Sequence, residues 1–201
     1  DACIACVETV DLTAPIKERA KVHLKKKAGK NEFRPIAVFG IQHRTAQAMV
    51  KTVLDVLFKP REFQFSHRGV APAIVEARKQ IGNGRHYYAH LDIKSFYMDF
   101  VASKLAARLP LPAWAVENVL VGENMQWAAR WTKMLFSYHH TRMLHQARLG
   151  IPQGSSASPI VAMIECARLN PDALGITALM NYMDDFLLLA KTSAELEEQI
   201  A

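Results

Sequence analysis

Two adjacent carboxylates, Asp184 and Asp185, sit between the apolar runs 176–182 and 186–190. Ionised side chains avoid such company unless they are neutralised or turned toward water. The pattern predicts two short strands joined by a tight turn over Met183-Asp184-Asp185, a β-hairpin. On one reading the acids are a solvent-facing turn and nothing more. The other reading brings in Asp92, which closes the apolar segment His90-Leu91-Asp92-Ile93 at the end of a strand predicted over 87–93. A hairpin beside that strand would bring Asp92 and Asp184 together, and carboxylates clustered in this way cannot all stay ionised without a cation. Hard oxygen ligands at that density select Mg²⁺ or Mn²⁺. Two such ions roughly 3.5–4 Å apart serve phosphoryl transfer.

The rest of the chain can support such a site. It has 201 residues, half of them apolar and 22% charged, which suits one folded domain, or one and a small part of another, and excludes a disordered tail. No uninterrupted apolar stretch approaches 18 residues, and the start Asp1-Ala2-Cys3 has neither the basic residues nor the apolar block of a signal peptide. A soluble cytoplasmic protein with no membrane partner is the expectation. Three cysteines exclude a disulfide framework, and Cys3-Ile4-Ala5-Cys6 is a lone C-x-x-C without a second pair. The net charge is +6 and unevenly spread. Residues 17–34 hold nine basic side chains, His23 included, against Glu18 and Glu32. Such a block suits phosphates, or else it is a solvated face.

Periodicity predicts a helix over 14–27, with Pro15 in its first turn and Ile16, Ala20 and Leu24 at four-residue spacing. A strand follows over 33–39, then a helix over 42–57 turning Ala46, Met49, Val50, Val53, Leu54 and Leu57 inward, ended by Lys59-Pro60. A second helix, 72–81, stops at Gly82-Asn83-Gly84. The middle, 96–146, reads as helical and broken at Leu109-Pro110-Leu111-Pro112, with Trp114, Trp127 and Trp131 in the core. Ser158-Pro159 opens a helix to 168, and Thr192 with Glu195 forms a capping box for a last one. The expected class is α+β. No internal repeat is visible.

Three segments share a further property. Leu91-Asp92-Ile93-Lys94-Ser95-Phe96-Tyr97, then Gly150-Ile151-Pro152-Gln153-Gly154-Ser155-Ser156-Ala157-Ser158-Pro159, then Tyr182-Met183-Asp184-Asp185 resemble, in order, motifs A, B and C of reverse transcriptases. Residues 25–36 resemble the fingers segment in which basic residues precede an Arg-Pro-Ile strand, and Ser66-His67-Arg68-Gly69 resembles the next fingers motif. The resemblance covers about residues 20–200. It implies a right-hand polymerase, with basic, mostly helical fingers over 1–86 and a palm over 87–201, whose antiparallel sheet carries helices on one face. Only sixteen residues follow Asp185, so the later palm and the thumb are expected on a longer protein.

The resemblance also implies roles. Asp92, Asp184 and Asp185 would be the catalytic, metal-binding triad, with the backbone carbonyl of Ile93 as a further ligand of two Mg²⁺ ions, Mn²⁺ being an alternative. Gln153 and Gly154 would lie against the incoming nucleotide and the template base, glycine letting backbone approach closely. Tyr97 stands at the steric-gate position that excludes a ribose 2′-hydroxyl. Arg34, with Lys26, Lys27 or Lys30, would hold the triphosphate. Arg68, Gly69, Tyr182 and Met183 would touch nucleic acid. The implied partners are an RNA template, a DNA or RNA primer and dNTPs, with a non-coding RNA or a further polypeptide segment as additional candidates. Pro-Gln-Gly-Ser with Tyr-Met-Asp-Asp suits bacterial types, including retron-like and antiviral-defence groups.

Two rival readings stay open. RNA-dependent RNA polymerases usually carry Gly before the Asp pair and a second Asp about five residues after the first, where this chain has Met183 and Tyr97. A catalytically inactive palm serving as an RNA-binding scaffold is the other, and the three intact carboxylates weigh against it. His86 and His90 lie across a strand rather than on one helix face, which argues against a metal pair. His139, His140 and His145, with Arg142 and Arg148, suit phosphates or solvent.

Overall fold

The computed structural model describes residues 2–29, 31–128 and 145–200. Lys30, Trp131, His139, His140 and Arg142 lie outside the described residues. The chain divides into two compact units, one of Asp1–Leu57 with Ser95–Ile160 and one of Phe58–Lys94 with Val161–Ala201. Helices and two antiparallel sheets make the fold α+β.

In the first unit, α1 (Ala2–Val7) precedes a two-stranded sheet of β1 (Lys21–Lys26) and β2 (Phe33–Val38). The helix expected over 14–27 is therefore wrong: its second half is β1. Val22 and Leu24 alternate with Lys21, His23 and Lys25, and this period of two wins because β2 offers a full ladder of partners. Ile16 and Ala20 are buried all the same, Ala20 bridging to Trp127. β2 matches its expected strand. Next comes α2 (Ile41–Leu57), which buries Ala46, Val50 and Leu54 and leaves Val53 and Leu57 exposed, against expectation.

Glu18 supplies the cap of α2: its carboxylate accepts the His43 N–H at 3.1 Å, one of the orphan donors at a helix start. His43 is fully buried, with Nε2 donating to the Glu18 carbonyl at 2.8 Å. Burial holds its imidazole below the ordinary value. The proline-broken middle contains α4 (Ala102–Arg108) and α5 (Ala113–Ala115), which runs into a π-helical turn, Val116–Leu120, with Val116, Val119 and Leu120 buried. Trp127 packs on the core and donates Nε1–H to the Gly122 carbonyl at 2.8 Å, whereas Trp114 is exposed.

The second unit is built on a three-stranded antiparallel sheet in the order β3-β5-β4, with β3 at Tyr87–Asp92, β4 at Leu179–Tyr182 and β5 at Asp185–Ala190. The hairpin expected from the two apolar runs and the strand beside it thus form, with β4 starting at Leu179 rather than at residue 176. Phe186, Leu188 and Ala190 of β5 are buried on one face. On the other, α3 (Val70–Gly82) brings Ala73 and Ala77 against Phe65, Met180, Leu187 and Leu189. Most of α6 (Ser158–Cys166) and all of α7 (Ser193–Ile200) also belong to this unit. At the start of α7 the Thr192 hydroxyl accepts the Glu195 N–H at 3.1 Å, while the Glu195 carboxylate reaches back to the Lys191 N–H at 2.8 Å.

Candidate active site

The three carboxylates all belong to the second unit. Tyr182 pairs with Asp185 across the hairpin, so Met183 and Asp184 are a two-residue turn. Asp92 lies directly opposite Asp185, at the last position of the β3–β5 ladder. Directly opposite residues of an antiparallel pair put their side chains on one face with Cβ atoms about 4.5–5.5 Å apart. The hairpin does lie beside the Asp92 strand as expected, and in the ladder it is Asp185 that stands directly opposite Asp92. A turn of two residues takes up Met183 and Asp184, which leaves Asp185 as the first residue of β5. Asp184 enters through its backbone, its carbonyl accepting the Ile93 N–H at 3.2 Å just beyond the ladder.

His90 shares the face of Asp92, two residues earlier, and its Nε2 stands 2.8 Å from Asp185 Oδ1. Sequence reasoning missed this contact, although the period of two that links His90 to Asp92 could have found it once the register was known. Cys166 lies under the turn, its thiol 3.7 Å from the Met183 carbonyl. Burial, with the Asp184 and Glu165 carboxylates nearby, pushes that thiol up to about 12, so it stays protonated and inert.

The turn is held from below. Fully buried Gln64 and nearly fully buried Asn181 form an isolated bridge beside β4. The Asn181 N–H donates to the Phe63 carbonyl at 2.7 Å and its own carbonyl accepts the Phe65 N–H at 2.8 Å. Arg68 serves this same segment: its guanidinium stacks on the Phe65 ring at 4.1 Å and donates to the Glu62 carbonyl and, at 3.1 Å, to that of Gln64. Gly69 precedes α3 at φ +90°. Tyr182 is partly exposed.

The remaining predicted residues belong to the first unit. Motif B is threaded between two backbones. The Ile151 N–H donates to the Tyr97 carbonyl at 2.9 Å, and the Ala37 N–H of β2 to the Gln153 carbonyl at 2.6 Å. Gly154, at φ +112°, approaches Ala37 so closely that a Cβ would stand 2.2 Å from its carbonyl oxygen. The packing of β2 alone thus requires glycine there. The ring of Tyr97 meets that of Phe96 edge-on at 5.4 Å. A cleft of about 690 Å³ runs along Ala37, Phe39, Thr45, Gln47, Gly154 and Ser156. Thr45 Oγ1 and Gln47 Nε2, both on nearly buried side chains, have no hydrogen-bond partner among the described residues.

The β1–β2 register sorts the basic block. Arg34 lies directly opposite Lys25, a residue sequence reasoning had not assigned. Lys26 faces Phe33 and points to the other side, and Lys27 donates to the Glu32 carboxylate at 2.6 Å. Like charges directly opposite on a sheet are destabilising unless an anion lies between them.

The chain belongs to the family described as reverse transcriptase (RNA-dependent DNA polymerase), which matches residues 24–201. No curated protein matches it. Of 47 matching chains of solved structures, one is an apo telomerase from Candida tropicalis truncated from its C-terminal domain, 14% identical with a TM-score of 0.48. The match covers 92% of this chain and 46% of the telomerase chain, so this chain spans under half the length of that protein. Among the described residues no helix is long and apolar enough to cross a membrane.

Proposed function

We propose that the protein catalyses RNA-templated DNA synthesis, transferring nucleotides from dNTPs to the 3′-hydroxyl of a DNA or RNA primer. The observation that carries this reading is the placement of Asp92 directly opposite Asp185, with Asp184 in the hairpin turn just before Asp185. The donor set is oxygen-only apart from His90, as Mg²⁺ or Mn²⁺ requires. Among the described residues no group of three or more His, Cys, Asp or Glu side chains stands ready to hold a metal. This is compatible with Mg²⁺, which binds through one or two carboxylates together with substrate phosphates rather than in an all-protein cage. When bound, a pair of such ions would lower the pKa of the primer hydroxyl and offset charge on the departing pyrophosphate.

Asp92, Asp184 and Asp185 would hold the ions, the carbonyl of Ile93 adding an oxygen. Arg34 grips the triphosphate as a fork, and its cross-strand neighbour Lys25 is a better supported second cation than Lys26, Lys27 or Lys30. Gln153 and Gly154 face the nucleotide and the template base. Tyr97 is the gate against ribose. Arg68, Gly69, Tyr182 and Met183 belong to the nucleic-acid path, Arg68 by supporting the segment under the turn. In this reading 1–86 act as fingers and 87–201 as palm. Motif wording supports a bacterial, retron-like or defence-associated type in the cytoplasm.

Primer extension on an RNA template with dNTPs tests the reading. Extension should need a divalent cation, stop with EDTA, and be lost in Asp184→Asn while RNA binding persists, because binding rests on phosphate contacts. Extension with ribonucleotides instead would favour an RNA polymerase. RNA binding without extension of any kind would favour the scaffold.

A further inference from the structure

Met183 is one of two non-glycine residues, among those described, with a positive φ, here +57°. It is the first residue of a two-residue hairpin turn whose second, Asp184, has an ordinary φ. That combination is the type II′ turn, in which glycine is favoured at the first position. A side chain in the left-handed region is strained and persists only where its surroundings over-determine it. They do so here. The Met183 N–H donates to Ser66 Oγ at 2.7 Å, and Asn181 Nδ2 donates to the Met183 carbonyl at 2.8 Å and to that of Asp185 at 3.2 Å.

Ser66 comes from a segment 117 residues earlier in the chain. Its support is firm. The neighbouring Phe63 and Phe65 are hydrogen-bonded to both backbone groups of Asn181. Gln64, with no exposed surface, donates Nε2–H to the Met163 carbonyl at 2.8 Å and accepts the Arg61 N–H at 3.0 Å. The hydroxyl is thus presented by a braced loop segment to the first backbone N–H of the turn, ahead of the paired carboxylates.

We infer that Ser66 is a positioning residue: by clamping the strained Met183 amide it fixes the direction in which Asp184 and Asp185 leave the turn. The inference rests on the proposed catalytic role of those carboxylates, and it acts through the Met183 backbone rather than through substrate. Since glycine adopts this turn unaided, the need for the clamp should vanish when Met183 is replaced by glycine.

The test uses the whole chain as wild type, Ser66→Ala, Ser66→Thr, Met183→Gly and the Ser66→Ala/Met183→Gly double variant. Hydrogen exchange at the Met183 amide, followed by NMR without metal, should be at least tenfold faster in Ser66→Ala. In primer extension that variant should lose at least about tenfold in kcat, with the dNTP KM unchanged within about twofold, and Ser66→Thr should recover most of the loss. In the Met183→Gly background, Ser66→Ala should cost less than about threefold. Equal losses in both backgrounds, or unchanged exchange at the Met183 amide, overturn the inference. If Ser66→Ala does not fold, recovery of the fold by adding Met183→Gly supports the clamp and failure to recover overturns it. A wild type that extends no primer while Ser66→Ala still shows faster exchange would sink the catalytic reading and leave the clamp of Ser66 on the turn standing.

Discussion

Replacing Gly150 with alanine should separate two reasons for glycine that are usually confounded. Gly150 has φ +61° and Gly29, in the β1–β2 connection of the same unit, has φ +70°. A Cβ on Gly29 meets no atom within 4 Å, whereas one on Gly150 would stand 2.2 Å from the Tyr97 carbonyl oxygen and 2.9 Å from the Met98 carbonyl carbon. An L-residue in the left-handed region costs about 1–2 kcal/mol, partly offset by about 0.4–1 kcal/mol of lost unfolded-state entropy. Gly29→Ala should therefore cost between about 0 and about 1.6 kcal/mol. Gly150→Ala adds overpacking, about 1–3 kcal/mol, and pushes away the carbonyl that accepts the N–H of buried Ile151 at 2.9 Å, about 1–3 kcal/mol more. The gap between the variants should be at least about 2 kcal/mol, near thirtyfold in the unfolding equilibrium. Urea titration by linear extrapolation measures it, with m-values checked for constancy. Equal destabilisation by both substitutions would refute the claim that motif B is seated by backbone contact with Tyr97. Because Gln153 follows three residues later, nucleotide KM should rise in Gly150→Ala and stay unchanged in Gly29→Ala.

Tyr97→Ala should lower discrimination between deoxyribo- and ribonucleotides by at least about tenfold, about 1.4 kcal/mol, in competitive incorporation; an unchanged ratio would remove the gate role. Lys25→Ala should raise the dNTP KM more than Lys26→Ala does, because only Lys25 is opposite Arg34; the reverse order in steady-state kinetics would favour Lys26 as the second cation. Stability should fall on acidification through His43. Burial lowers its folded pKa below about 6.5, so the unfolded chain binds the proton more readily. The contribution is intact above about pH 6.5 and is lost as pH drops from there toward the folded value. His67, lowered by burial and by Arg68, acts in the same sense. Melting at about pH 7.5 and about pH 5.5 should show a smaller drop for His43→Gln than for wild type, and an equal drop would remove His43 as a source.

Local chemistry made much of this protein legible in one dimension. Two apolar runs around Met183-Asp184-Asp185 can satisfy both burial and charge only as a hairpin, and the strand ending at Asp92 shows the same conflict between apolar company and a carboxylate. Helix α2 and the stop at Gly82-Asn83-Gly84 follow from periodicity and turn residues in the same way. What needed the tertiary structure was every relation between distant segments. The residues of β1 satisfy a helical and a strand period at once, and only the presence of β2 decides between them. Whether Asp184 or Asp185 stands across from Asp92 depends on a one-residue difference in turn length, and a shift of one residue reverses the face of every side chain. The β3–β5 register also sets His90 on Asp185, and the separate β1–β2 register selects Lys25 over Lys26 beside Arg34. Ser66 stands in the Ser-His-Arg-Gly segment and Asn181 in the first strand of the hairpin, but nothing in the sequence ties either side chain to the turn. Ser66 matters because of a strained turn 117 residues away, whose unmet N–H it satisfies, while Asn181 satisfies the carbonyl of the same turn. Hydrogen-bonding need of this kind belongs to a backbone conformation, and no backbone conformation of one segment is written in the residues of another.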